Sequence, residues 1–212
     1  MNVIGTVGLP GSGKGEAATV AEAAGVPVVV MGDVIREECR ERGLDPAEHH
    51  GRMAGRLREE EGDAAIAERS IPRIREAAAE HDAETVLVDG LRSTVELERF
   101  REAFGEEFTL VAVHAPFETR ADRLGERGRD DSDADQEALR ERDAREIALG
   151  LDDTLERADV EIDNTGSLAA FHDRIRELLG VTEEAVAGRE GGDAVSDDAA
   201  DPVDTTDGGG RP

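Results

Sequence analysis

The sequence predicts an α/β fold, a five-stranded parallel sheet with helices on both faces. Three observations predict it. Apolar segments with β-branched character recur along the chain, separated by longer stretches rich in Ala, Glu and Arg. These segments are short and almost continuously apolar, as parallel strands covered on both sides must be. The first of them runs straight into a glycine-rich loop and then a helix-forming run, a strand–loop–helix order.

The strand segments fall at residues 3–7, 26–31, 85–88, 108–113 and 160–162. A helix is expected over residues 16–24, directly after the loop. Leu97, Phe100 and Phe104 recur at spacings of three and four, which marks a helix before the fourth strand. No strand signal occurs over residues 44–82, so a helical insertion is expected over about 33–82. Residues 118–145 are rich in arginine and are expected to form a short helical lid.

Composition narrows the class. The chain has 212 residues and a net charge of −26, from 51 acids and 25 bases. Such an acid excess opposes wholesale binding to nucleic acid or to an anionic membrane. No apolar run is long enough to span a bilayer. The N-terminal stretch lacks a basic start followed by an apolar core, so no secretory signal is expected. A single cysteine, Cys39, fits a reducing cytoplasm. Acid-rich, aromatic-poor composition with one lysine suits a salt-rich cytosol, where screening shortens to about 3 Å at 1 M. Residues 181–212 hold no Leu, Ile, Phe or Met and carry nine acids against two bases. They are expected to be a disordered acidic tail after a folded domain over residues 1–180.

The strongest motif is Gly8-Leu9-Pro10-Gly11-Ser12-Gly13-Lys14-Gly15. Glycines let successive backbone N–H groups turn toward one anion, and the following helix aims its positive end at the same place. Lys14, the only lysine in the chain, would reach the β- and γ-phosphates of a nucleotide. The residue after Gly-Lys is commonly Ser or Thr, whose hydroxyl holds Mg²⁺. Here Gly15 and then Glu16 follow, so Glu16 is a candidate to approach the metal or to repel the triphosphate.

Asp89 ends the third strand, where an acid can orient the water shell of Mg²⁺; a turn or helix-cap role is the plainer reading. Asp33 follows the second strand and could simply cap the next helix. Arg123, Arg127, Arg129 and Arg142 are candidates to neutralise charge developing on a transferring phosphoryl group. Arg120, Arg140 and Arg145 share that cluster, and many of these arginines are expected to pair with neighbouring acids. His49-His50 lies in a polar connection, and adjacent histidines diverge on a helix, so no metal pair is expected.

The loop, with Gly-Lys-Gly, resembles that of adenylate kinases, whose Thr is Glu16 here. Gly32-Asp33-Val34-Ile35-Arg36 resembles the Gly-Asp-x-Leu-Arg of nucleoside monophosphate kinases, which implies that Arg36 grips an acceptor's phosphate. Asp89-Gly90-Leu91-Arg92-Ser93-Thr94 is similar to the adenylate-kinase segment Asp-Gly-Phe-Pro-Arg-Thr and makes Arg92 a second candidate for that phosphate. Residues 158–168, containing Asn164-Thr165-Gly166, look like the last strand and turn of dephospho-CoA kinases, in which an acid after the second strand serves as base. That role would fall on Asp33. As a whole, residues 1–180 resemble an archaeal family of dephospho-CoA-kinase-related P-loop proteins.

The resemblance implies a P-loop kinase that takes ATP and Mg²⁺ and phosphorylates a small, phosphate-bearing acceptor. A nucleoside monophosphate offers an ionised nucleophile, so Arg36 and Arg92 would matter most. A dephospho-CoA-like acceptor offers a hydroxyl, so Asp33 would matter as base. Gly15-Glu16 leaves open a nucleotide-binding switch or slow ATPase that works with a protein partner. The sequence leaves the oligomeric state open.

Overall fold

The described residues, 1–127 and 136–181 of a computed structural model, form one five-stranded parallel sheet. Its strands are β1 (Asn2–Val7), β2 (Val28–Val30), β3 (Thr85–Asp89), β4 (Phe108–His114) and β5 (Val160–Asp163), in the order β2-β3-β1-β4-β5. The first strand lies at the centre, paired with β3 and β4, so the loop that leaves it opens at the middle of the sheet's carboxyl edge.

Strand alternation splits the core in two. Val3, Val7, Val86, Val88, Leu110 and Ala112 face one way, while Ile4, Leu87, Val111, Val113 and Ile162 face the other. The second set is covered by α1 (Lys14–Ala23) and α9 (Leu168–Leu179), through Val20, Phe171 and Ile175. The first set lies under α2 (Met31–Glu41), α3 (Pro46–Glu61), α4 (Ala65–Glu80), α5 (Thr94–Phe104) and α8 (Leu151–Leu155). Phe100 stacks on Phe108 with ring centroids 5.5 Å apart. A Cβ on Gly5 would come within 2.7 Å of the Phe108 ring, so the glycine makes room for that stack.

Four of the strand expectations hold to within a residue at each end. The second is shorter: Met31 opens α2 instead of ending the strand, and Pro27, which has no N–H, precedes β2. The helix after the loop begins at Lys14, two residues early. Helices α2, α3 and α4 make up the expected insertion, and ion pairs hold them together. Arg42, the C-cap of α2, reaches Glu60 of α3, while Arg69 of α4 reaches Glu38 of α2. The segment expected to form a lid, about 118–145, holds α6 (Phe117–Arg127) and α7 (Gln136–Ala148). Arg129, the side chain of Arg127 and nearly all of the expected acidic tail lie outside the described residues.

Candidate nucleotide and acceptor site

Each glycine of the loop that meets a neighbour does so for a different reason. A Cβ on Gly8 would lie 2.6 Å from the Val113 carbonyl oxygen, and one on Gly11 would lie 2.8 Å from that of Arg120. One on Gly13 would lie 2.3 Å from Asn164 Nδ2. Gly11 and Gly13 also sit at φ 78° and 121°, where an L side chain is strained. The backbone is thereby wrapped tightly between β4, α6 and the turn after β5. Gly13 caps α1, whose first N–H groups open into the same space.

Lys14 donates from Nζ to the carbonyl oxygens of Gly8, at 2.6 Å, and Leu9, at 3.2 Å. Burial is the main influence that lowers its pKa; Asp89 opposes this and Arg92 adds to it. Asp89 accepts a 2.9 Å hydrogen bond from Thr6 Oγ1, its register partner on β1. That bond fixes the carboxylate at the tip of the strand beside the loop. Asp89 is not a helix cap, because Ser93 caps α5.

A cleft of about 910 Å³ runs from the loop to the insertion. Gly8, Pro10, Gly11, Gly13, Lys14 and Gly15 line one end of it. Leu9 and Ser12 turn instead to a separate cavity of about 260 Å³. Among the described residues the large cleft is lined by six cations, Lys14, Arg36, Arg58, Arg92, Arg142 and Arg145. Three acids accompany them, Asp89, Glu96 and Glu146. A lining of net +3 within a chain of net −26 is a local reversal of sign, and it favours a polyanionic occupant.

Arg36, Arg92 and Arg142, three of the arginine candidates, line this cleft. Arg36 is paired with Asp33 at 2.7 Å, and Arg92 with Glu146 of α7 at 2.6 Å. Three expectations are met differently. Asp33 is not the cap of α2, which Val30 provides; it lies in the first turn, and its carboxylate is directed to Arg36. Glu16 lies 2.6 Å from His172 Nε2 of α9 and does not line the cleft. The fork of Arg123 goes to the loop's scaffold: Nη2 donates to the Asn164 carbonyl at 2.9 Å and Nη1 to that of Ser12 at 3.4 Å.

Several groups at the site either were given no specific role by the sequence reading, as with Arg120, Arg145 and His50, or were not singled out by it. Arg120 is 3% exposed, donates to Asp143 through both Nη atoms, and donates to the Pro10 carbonyl at 3.0 Å. It ties α6 and α7 to the loop. Asn164 donates from Nδ2 to the Ser12 carbonyl at 2.8 Å. The resemblance of its turn singled that segment out but assigned the side chain no role. Arg58, Glu96, Arg145, Glu146 and His50 also line the cleft. His50 Nε2 is buried beside the Gly32 backbone and makes no hydrogen bond of full geometry among the described residues. Burial, with Arg92 and Arg36 nearby, lowers the pKa of the ring and so favours its neutral form.

Comparisons with known proteins agree with this architecture. The family described as AAA domain matches residues 7–140. A UPF0200 protein of Halobacterium salinarum is 60% identical over 179 residues, covering 84% of this chain and 93% of its own length. One from Methanosarcina mazei is 43% identical over 180 residues, 84% of this chain and 94% of its own. Among solved structures, TT1252 from Thermus thermophilus superposes with a TM-score of 0.59 at 20% identity, over 84% of this chain and 96% of that one. A gluconokinase from Sinorhizobium meliloti superposes with a TM-score of 0.50 at 20% identity, over 84% and 91%. The fold is thus that of P-loop kinase-like proteins, a fold that implies binding of an ATP-like nucleotide.

Proposed function

The chain belongs to the archaeal UPF0200 family and carries an AAA domain, and from that footing we propose that it is a Mg²⁺-dependent phosphotransferase. It moves the γ-phosphoryl group of ATP to a small acceptor that itself bears a phosphate. The observation that carries this reading is the single lumen in which the phosphate loop and Arg36 and Arg92 meet, its charge opposite to that of the chain.

The loop fits a nucleotide's phosphates because Gly8, Gly11 and Gly13 leave no room for side chains and its N–H groups converge at the start of α1. ATP bound there supplies the phosphoryl group, with Mg²⁺ offsetting its charge. Lys14 exchanges the Gly8 and Leu9 carbonyls for phosphate oxygens. Asp89, held by Thr6, would orient the waters of the metal. Arg142 and Arg145 add fixed positive charge from α7.

Between the two acceptor classes, the geometry supports a nucleoside monophosphate. A hydroxyl acceptor needs a base, and Asp33 spends its carboxylate on Arg36 and is absent from the cleft lining. A phosphate acceptor is already ionised: its oxygen bonds to the γ-phosphorus as the bond to ADP breaks, and no proton has to be removed. The switch or slow-ATPase reading drew on Gly15-Glu16 standing where a Mg²⁺-binding hydroxyl is usual; Glu16 pairs with His172, which weighs against its carboxylate repelling the triphosphate.

The test is turnover in high salt with ATP, Mg²⁺ and a panel of nucleoside monophosphates and dephospho-CoA. ADP formation that depends on a monophosphate, and is lost in Lys14→Met and Lys14→Arg alike, is expected; a planar guanidinium does not replace the compact ammonium. Asp33→Asn is expected to alter acceptor KM more than kcat. Hydrolysis indifferent to every acceptor would overturn the proposal.

A further inference from the structure

The insertion end of the cleft holds an arginine that phosphate binding does not require. Helix α3 presents Ala47, His50 and Arg58 to the lumen, one face of the helix, with the last two residues about 12 Å apart at 1.5 Å per residue. His50 is at the Arg36 end: a Cβ on Gly32 would meet Arg36 Nη1 at 3.2 Å and His50 Nε2 at 3.4 Å. Arg58 is at the other end and is 19% exposed. Its Nη2 donates to Glu96 Oε1 at 3.1 Å, and Glu96 is its only side-chain partner among the described residues.

Glu96 is a rigid anchor. It is 1% exposed, and its second oxygen accepts the Arg92 backbone N–H at 2.9 Å. Its own N–H is capped by Ser93 Oγ at 3.3 Å, and it sits in the first turn of α5, where the helix favours a negative charge. Arg58 is thus fixed by one corner of its fork, and its remaining donors are available to the lumen. Met31, Ile35, Ile66 and Leu91 supply apolar walls there.

Apolar walls with a fixed, donor-only fork suit the edge of a planar ring that accepts hydrogen bonds. We propose that Arg58 is a specificity-determining residue that selects an acceptor whose base carries an oxo group, as in a 6-oxopurine, over one with an amino group at that position. This rests on the reading of the cleft as a monophosphate acceptor site. An arginine fork matches the O6 and N7 acceptors of a 6-oxopurine, whereas a 6-amino group sets donor against donor.

Inosine and adenosine monophosphates differ only at C6 and the adjoining N1, so they isolate the point. Binding of each to the full chain is measured by calorimetry in high salt, beside kcat and KM with ATP. The wild type is expected to favour inosine monophosphate at least tenfold, through KM and Kd, with kcat nearly equal. In Arg58→Met that ratio falls toward one. In Arg58→Lys, which keeps the charge without the fork, it falls part of the way. Losing Arg58 leaves the buried Glu96 without its cation, so the double variant Arg58→Met/Glu96→Gln repeats the measurement should the single one fold poorly. Equal or tighter binding of adenosine monophosphate by the wild type overturns the role of Arg58 and leaves the phosphotransferase standing. Binding of ATP with neither monophosphate bound overturns the acceptor reading and this inference together.

Discussion

The contact between Gly13 and Asn164 allows the loop's rigidity to be divided into backbone strain and side-chain bracing. Asn164→Ala removes the 2.8 Å bond from Nδ2 to the Ser12 carbonyl, leaving that oxygen only the 3.4 Å contact from Arg123. A buried acceptor left so costs about 1–3 kcal/mol. Gly13→Ala forces a Cβ into a site 2.3 Å from Asn164 Nδ2, at φ 121°. The backbone conformation alone costs a non-glycine residue about 1–3 kcal/mol. Displacing Asn164 breaks its bond to Ser12 as well, so the substitution costs roughly 2–6 kcal/mol in the wild type.

With Asn164 already truncated, the clash is gone and only the backbone cost remains. The double variant should therefore fall short of the sum of the single effects by about 1–3 kcal/mol. Urea unfolding followed by circular dichroism measures all four proteins; intrinsic fluorescence is a poor probe because the chain has no Trp or Tyr. The slope of stability against urea should be unchanged across the set. Additivity within about 0.5 kcal/mol would mean that Asn164 does not pack on the loop. A negligible cost for Gly13→Ala in the truncated background would falsify the strained backbone.

Three further outcomes follow from the same geometry. Gly15 has no neighbour within 4 Å of its Cβ position, so Gly15→Ser should change stability by less than about 0.5 kcal/mol. Its hydroxyl should lower the Mg²⁺ concentration needed for half-maximal turnover; an unchanged Mg²⁺ titration would place the metal elsewhere. His50 has a pKa below the ordinary 6.5, chiefly through burial. The unfolded chain therefore takes the proton first, so this contribution to stability is complete above pH 6.5 and is lost as pH falls below it. His50→Gln should flatten that part of the Tm-against-pH profile, and parallel profiles would exclude His50 as its source. With a net charge of −26, Tm should rise as KCl shortens the screening length from about 10 Å at 0.1 M to about 3 Å at 1 M, and a flat response would sink the inferred salt adaptation.

The strands were legible because a sheet buried on both faces leaves a signal that depends on no partner: continuous apolar runs such as that of β4. The loop was legible because its glycine spacing reflects crowding from three directions, which few sequences would show by chance. The direction of each charged side chain was not legible. Glu16 meets His172, 156 residues away, and Arg58 meets Glu96, 38 away. With 25 bases against 51 acids, every arginine has many acids that it could pair with, and local spacing does not choose among them.

That degeneracy explains why Arg120 and Arg123, two neighbours in the lid segment, both serve the loop's scaffold, while Arg142 from the next helix reaches the cleft. Lys14 escaped it because no other residue of its type competes for the same reading. The composition thus hides the phosphate clamp and exposes its centre. An arginine acts here according to how many acids its neighbourhood leaves over. On the surface acids outnumber bases, and pairs such as those of Arg42 or Arg69 close locally. Among the described residues that line the cleft bases outnumber acids two to one, and there a net positive charge faces a ligand.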